Sequence, residues 1–131
     1  MSHYIFEGKY QDRSSAVKVR LLLFHFQDEN KVHLIYSPHL DLTGYGNIMS
    51  EARESFEIAF VDFIDYTIKE KTLAKVLKDL GWKISDSEKH PKKVIAPGIA
   101  SVINDNEYVS EIFDKYPVKT YHKQVEIPIC A

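Results

Sequence analysis

His39 and Asp41 stand two residues apart in the stretch Ser37–Asn47, SPHLDLTGYGN, and are the clearest candidates for acid–base chemistry in the chain. A carboxylate beside an imidazole can fix the ring's tautomer and let it move a proton. The competing use of Asp41 is structural: an aspartate in a turn commonly accepts backbone N–H groups. No Ser or Cys in a nucleophile elbow accompanies the pair, and no second carboxylate stands at an obvious spacing. The chain has six histidines, His3, His25, His33, His39, His90 and His122. None pairs with another at i, i+4 and there is no CxxC, so a zinc site would need ligands from distant positions. His25 and His33 lie near opposite positions about the turn DENK and can face each other across a hairpin. Two imidazoles there either bind a metal or form a surface or partly buried pair. Gly44 and Gly46 give G-x-G without the third glycine and the basic residue of a phosphate loop. Their expected use is positive φ and close approach of the backbone to the next element. No catalytic residue, metal ligand or cofactor is assigned on these grounds.

Hydrophobic periodicity supplies the elements that must position these residues. His3–Tyr10 reads as a short strand with Tyr4 and Phe6 on one face. Ala16–Gln27, AVKVRLLLFHFQ, is the clearest strand: Val17, Val19, Leu21 and Leu23 point one way, Leu22, Phe24 and Phe26 the other. Apolar residues on both faces predict a central strand covered on both sides. DENK turns the chain into Val32–Ser37, giving an antiparallel hairpin. The Ser37–Asn47 stretch, with Pro38, Leu40, Asp41, Gly44 and Gly46, then reads as a strand-to-helix corner.

From Ile48 to Ile68 the period changes to steps of three and four, through Met49, Ala52, Phe56, Ala59, Phe60 and Phe63. That stripe predicts a long helix laid across the sheet, with Asn47 as its N-cap. Glu51, Glu54, Glu57 and Asp62 fall off the stripe and read as a solvated face. Thr72 starts a shorter helix with Leu73, Val76, Leu77 and Leu80, ended by Gly81. SDSEKHPKK is a polar loop. Asn104 or Asp105 starts a third helix with Tyr108, Val109, Ile112 and Phe113 inward, closed by Pro117. Lys119–Ile129 alternates as a last strand, with Tyr121, Lys123, Val125 and Ile127 on one face. That strand either returns to its own sheet or pairs with a second chain. The expected fold is α+β: a three- to four-stranded antiparallel sheet, a long helix on one face, and a helical C-terminal extension with a final strand. Residues 1–84 form the β-β-β-α core with a second short helix. Residues 85–131 form the extension, as part of the same unit or as a dimerisation arm.

The chain has 131 residues, 44% hydrophobic and 27% charged, with a formal net charge of -2. That balance gives no global attraction for nucleic acid or anionic membrane. Lys69, Lys71, Lys75, Lys78, Lys83, Lys92 and Lys93 make the middle of the chain locally basic and could touch phosphate or an acidic partner. No apolar run approaches the roughly eighteen residues of a membrane span. The opening MSHYIFEGKY lacks the pattern of a signal peptide. The single cysteine, Cys130, cannot close an internal disulfide, so a reducing cytoplasm is the expected compartment.

The run VHLIYSPHLDLTGYGN followed by SEARESFEIAFVDFIDY resembles the HicB-like antitoxin family. Pro38, Leu40, Gly44, Gly46, Glu51, Ala52 and Phe56 carry the resemblance, which covers about half the chain. It implies a partial RNase H-like fold without catalytic carboxylates, hence a binding module rather than an enzyme. It further implies a bacterial toxin–antitoxin role, homodimers or higher oligomers, and a HicA-like ribonuclease toxin as partner. No helix-turn-helix pattern follows residue 85, so the DNA-binding element many members carry is not expected in that form. The last strand looks like the opening of a ribbon-helix-helix, without the helices. Two other functions stay open on the residues alone: a stand-alone structural or regulatory domain, and a small hydrolase using His39 and Asp41.

Overall fold

The computed structural model describes residues 16–84 and 94–128. The strand expected at His3–Tyr10, the loop SDSEKHPKK, and His3, His90 and Cys130 lie outside the described residues. Four strands form one antiparallel sheet: β1 (Ala16–Gln27), β2 (His33–Ser37), β3 (Leu42–Gly46) and β6 (Lys119–Pro128), in the order β3-β2-β1-β6. The long helix α1 (Met49–Lys69) is followed by α2 (Leu73–Asp79). A two-stranded ribbon, β4 (Lys83–Ile84) with β5 (Val94–Ile95), leads to α3 (Ile99–Asn104) and α4 (Glu107–Lys115). The α+β class, the antiparallel sheet, the long helix on one face and the final strand are as the periodicity predicts.

β1 is central and its two apolar faces serve two cores. Val19, Leu21 and Leu23 meet Ala52, Phe56, Phe60 and Ile64 of α1, together with Leu77, Trp82, Val125 and Ile127. Leu22, Phe24 and Phe26 meet Tyr36, Val102, Val109 and Ile112 under α3 and α4. Fully burying one such large apolar side chain stabilises by roughly 1.5–3 kcal/mol, so neither layer is dispensable. β6 pairs with β1 along ten positions, from Ala16↔Pro128 to His25↔Lys119. The last strand therefore returns to its own sheet, and residues 94–128 share their core with the first half.

Several local expectations are corrected. SPHLDLTGYGN is not only a corner: it holds a hairpin turn and a strand, with Ser37↔Leu42 and Ile35↔Gly44 in register. The glycines hid that strand, because glycine lowers strand propensity. They are there because α1 lies directly on them. A Cβ on Gly44 would fall 2.3 Å from the Phe56 backbone N, and one on Gly46 2.5 Å from the Glu51 Cβ. Neither has positive φ; within the turn the left-handed position is Asp41, at φ 54°. The N-cap of α1 is Ile48 rather than Asn47, without a side-chain cap. Instead Glu51 reaches back, and its Oε1 accepts the Asn47 N–H at 2.9 Å. α3 is an additional short helix starting after Pro97 and Gly98, and α4 starts one residue later than expected, capped by the Asn106 side chain.

Both helix ends near KEK and Gly81 close in the same way. Thr72 N–H bonds Thr67 C=O and Lys71 N–H bonds Ile68 C=O; Trp82 and Gly81 repeat the pattern on Leu77 and Lys78. This closure needs a left-handed residue at its centre. Gly81 supplies it at φ 95° without cost, whereas Lys71 adopts φ 58° with a Cβ. Lys71 is exposed. Lys71→Gly should therefore stabilise the chain by about 1 kcal/mol, measurable as a rise in the denaturation midpoint.

Candidate functional site

The hairpin turn Pro38–Asp41 is the point where distant segments converge. Pro38, His39 and Leu40 are buried there, while Asp41 is exposed. β2 leaves β1 beyond the Phe24↔Tyr36 pair, so the backbone N–H of Leu22 has no strand partner on that side. His39 Nδ1 accepts that N–H at 3.2 Å. An accepting Nδ1 is unprotonated, so the proton sits on Nε2, which donates to the Pro97 carbonyl oxygen at 3.0 Å. The His39 carbonyl oxygen in turn accepts the Trp82 indole N–H at 2.8 Å. With 3% of its surface exposed, the ring is committed at both nitrogens. Burial pushes its pKa below the ordinary value; the Pro97 hydrogen bond opposes this and the charge of His122 adds to it.

Asp41 is not the partner of His39. Its Oδ1 accepts the Tyr36 hydroxyl at 2.8 Å, in place of the backbone N–H groups expected of it. The Tyr36 oxygen accepts the Asn106 side-chain N–H at 3.1 Å, and Asn106 Oδ1 caps α4 by accepting from Tyr108 and Val109. Burial, and less strongly the Asp41 carboxylate, push the Tyr36 hydroxyl up to about 12. A phenol with that pKa keeps its proton and serves as a hydrogen-bond donor. The sequence brings His39 and Asp41 within two residues, yet the fold sends them to separate networks. Beside them an open cleft of about 670 Å³ has Asp41, Asp79, Asp105 and Glu107 on its walls, with no basic side chain among the described residues that line it.

His25 and His33 do meet, as their placement about DENK predicts. His25 Nε2 and His33 Nδ1 are 2.9 Å apart and the rings are nearly parallel, 8° from coplanar. One ring must donate and the other accept, so at least one is neutral. Burial holds the His25 pKa down, followed by the positive charges of His33, Lys119 and Arg53. Cations around the pair work against a bound metal, and the described residues contain no group of three or more His, Cys, Asp or Glu placed to hold one.

The two depressed imidazoles fix a pH response. Below about pH 6.5 the unfolded chain takes up protons that folded His25 and His39 refuse. Their contribution to stability is complete above that value and is lost as pH falls from it through the depressed folded values. The unfolding free energy should decline between pH 6.5 and about 5, before most carboxylates titrate. His25→Gln should flatten that decline in urea titrations at half-unit pH steps.

No family model, curated protein or solved structure matches the chain. The candidate surfaces therefore rest on this chain's own geometry. The expected oligomer strand, Tyr121, Lys123, Val125 and Ile127, divides into two halves. Val125 and Ile127 are fully buried in the core under α1, whereas Tyr121 remains 42% exposed. Lys123 is half-buried and its Nζ lies 3.4 Å from Glu57 of α1. β6 ends the sheet order, so among the described residues no strand pairs with its outer edge. No helix among the described residues is long and apolar enough to cross a membrane.

Proposed function

We propose that this chain is a non-catalytic, HicB-like binding protein of the cytoplasm. It assembles as a dimer or higher oligomer and holds a small protein partner of the HicA-like ribonuclease type. The outer edge of β6 carries this reading: ten residues of backbone with no strand beside them among the described residues. Such an edge recruits an extended segment by main-chain hydrogen bonds. A second copy adding its β6 about a two-fold axis would continue the four-stranded sheet to eight. Lys119 and Lys123 on the strand discourage indiscriminate pairing. The acidic cleft supports the choice of a basic partner, since opposite charge speeds encounter. Nucleic acid is the less favoured partner, given the net charge of -2.

The commitment of His39 and Asp41 to backbone and hydroxyl partners favours binding over the hydrolase alternative. Co-expression with a small basic ribonuclease toxin of the HicA type tests the reading. A stoichiometric complex by size exclusion with light scattering is expected, with slowed amide exchange over Lys119–Pro128. Separate elution, with the exchange of that strand unchanged, would favour a stand-alone domain. A gel shift with sequence-dependent DNA binding at moderate salt would restore the nucleic-acid option.

A further inference from the structure

Between α1 and the sheet a notch opens over the start of β6. The notch holds about 240 Å³ and its floor is made by Leu23, Ile35, Phe56 and Met49. Leu23, Ile35 and Phe56 expose 7%, 3% and 2% of their surface, so the floor is the outward side of the main core. Tyr121 forms one wall, and its half-exposed ring leaves an aromatic face beside the opening.

The mouth is charged. Lys123 and Glu57 line it as an ion pair and largely cancel. Arg53 also lines it, is exposed, and has no carboxylate partner among the described residues. His25 lies within reach of the charges of His33, Lys119 and Arg53, which add to the burial that chiefly lowers its pKa. An apolar floor below an uncompensated guanidinium is the usual pairing for a ligand with a greasy body and one anionic group. The volume falls under the roughly 300–1,000 Å³ of drug-sized pockets, which limits the body to one or two rings. A guanidinium selects a carboxylate because its planar fork donates two parallel N–H bonds.

We propose that the α1–β6 notch is a binding site for a small aromatic carboxylate, its ring on Leu23, Ile35 and Phe56 and its carboxylate on Arg53. The site is independent of the partner-binding reading and would hold if that reading failed. Its position beside the β6 edge means that an occupied notch would alter the surface that any added strand meets.

Methyl-labelled protein titrated at low salt with phenylacetate and indole-3-acetate, each matched by its neutral amide, tests the proposal. The methyls of Leu23, Ile35 and Met49 should shift on titration. The carboxylates should bind at least about fivefold more tightly than the amides. Arg53→Gln lies off the buried stripe of α1 and should fold normally, while abolishing the preference for acid over amide. Three results would overturn the proposal: no methyl shift at millimolar probe, equal binding of acid and amide, or a preference that survives Arg53→Gln.

Discussion

His39→Ala should cost about 3–5 kcal/mol of folding stability, far more than a surface histidine would. The substitution strands the Leu22 N–H and the Pro97 carbonyl, both met by the imidazole alone in its neutral form. It also leaves a cavity among Trp82 and the buried turn, and cavities add to the loss of the removed atoms. Asp41→Asn is the contrast. Asp41 is exposed, asparagine tolerates the left-handed turn, and its amide oxygen can still accept the Tyr36 hydroxyl. Its cost should stay within about 1 kcal/mol. An acid–base pair would behave in the opposite way, with both substitutions abolishing an activity and neither moving the denaturation midpoint far.

Gly44→Ala is expected to be nearly as damaging, at about 3 kcal/mol, or a fall in Tm of roughly 10 °C. The added methyl meets backbone rather than a flexible side chain: Phe56 N at 2.3 Å, Phe56 Cα at 2.6 Å and Ala52 O at 2.7 Å. Either α1 lifts from the sheet or β3 detaches from β2. Lifting α1 would loosen Phe56 and Phe60, two of the largest side chains of the main core. Gly98 is the control, because nothing lies within 4 Å of the position its Cβ would take. Gly98→Ala should shift stability by less than about 1 kcal/mol, mainly through a weaker N-cap. Thermal melts of the two variants side by side separate loss of glycine flexibility from steric contact with α1.

The elements that the sequence reveals are those whose apolar spacing repeats long enough to be read. Ala16–Gln27 shows two apolar faces, and the structure gives it two cores. The stripe that begins at Met49 and runs through Phe63 places α1, although Ile64, fully buried, lies outside it. The alternation in Lys119–Ile129 places β6. The third strand was illegible because its inward residue is Gly44: a strand pressed against a helix backbone carries no side chain to betray its inner face. α3 was illegible because it has six residues and follows Pro97-Gly98, a pair that reads as a break. The His25–His33 contact could be read from symmetry about a four-residue turn. The role of His39 could not, since its partners are 17 and 58 residues away in sequence and neither interaction has a local signature.

The claim that the chemistry-capable turn is structural, leaving the surfaces to do the work, meets its most direct test in the ring of His39. Long-range ¹H–¹⁵N spectra of labelled protein, recorded from pH 8 downward, resolve the tautomer and charge of each imidazole. The expected result is a neutral ring protonated at Nε2 that stays so below the ordinary histidine value, until the fold itself is lost. A His39 signal that titrates near pH 6.5 in the folded protein, or a ring protonated at Nδ1, would contradict the account and return His39 to the list of residues free to move a proton.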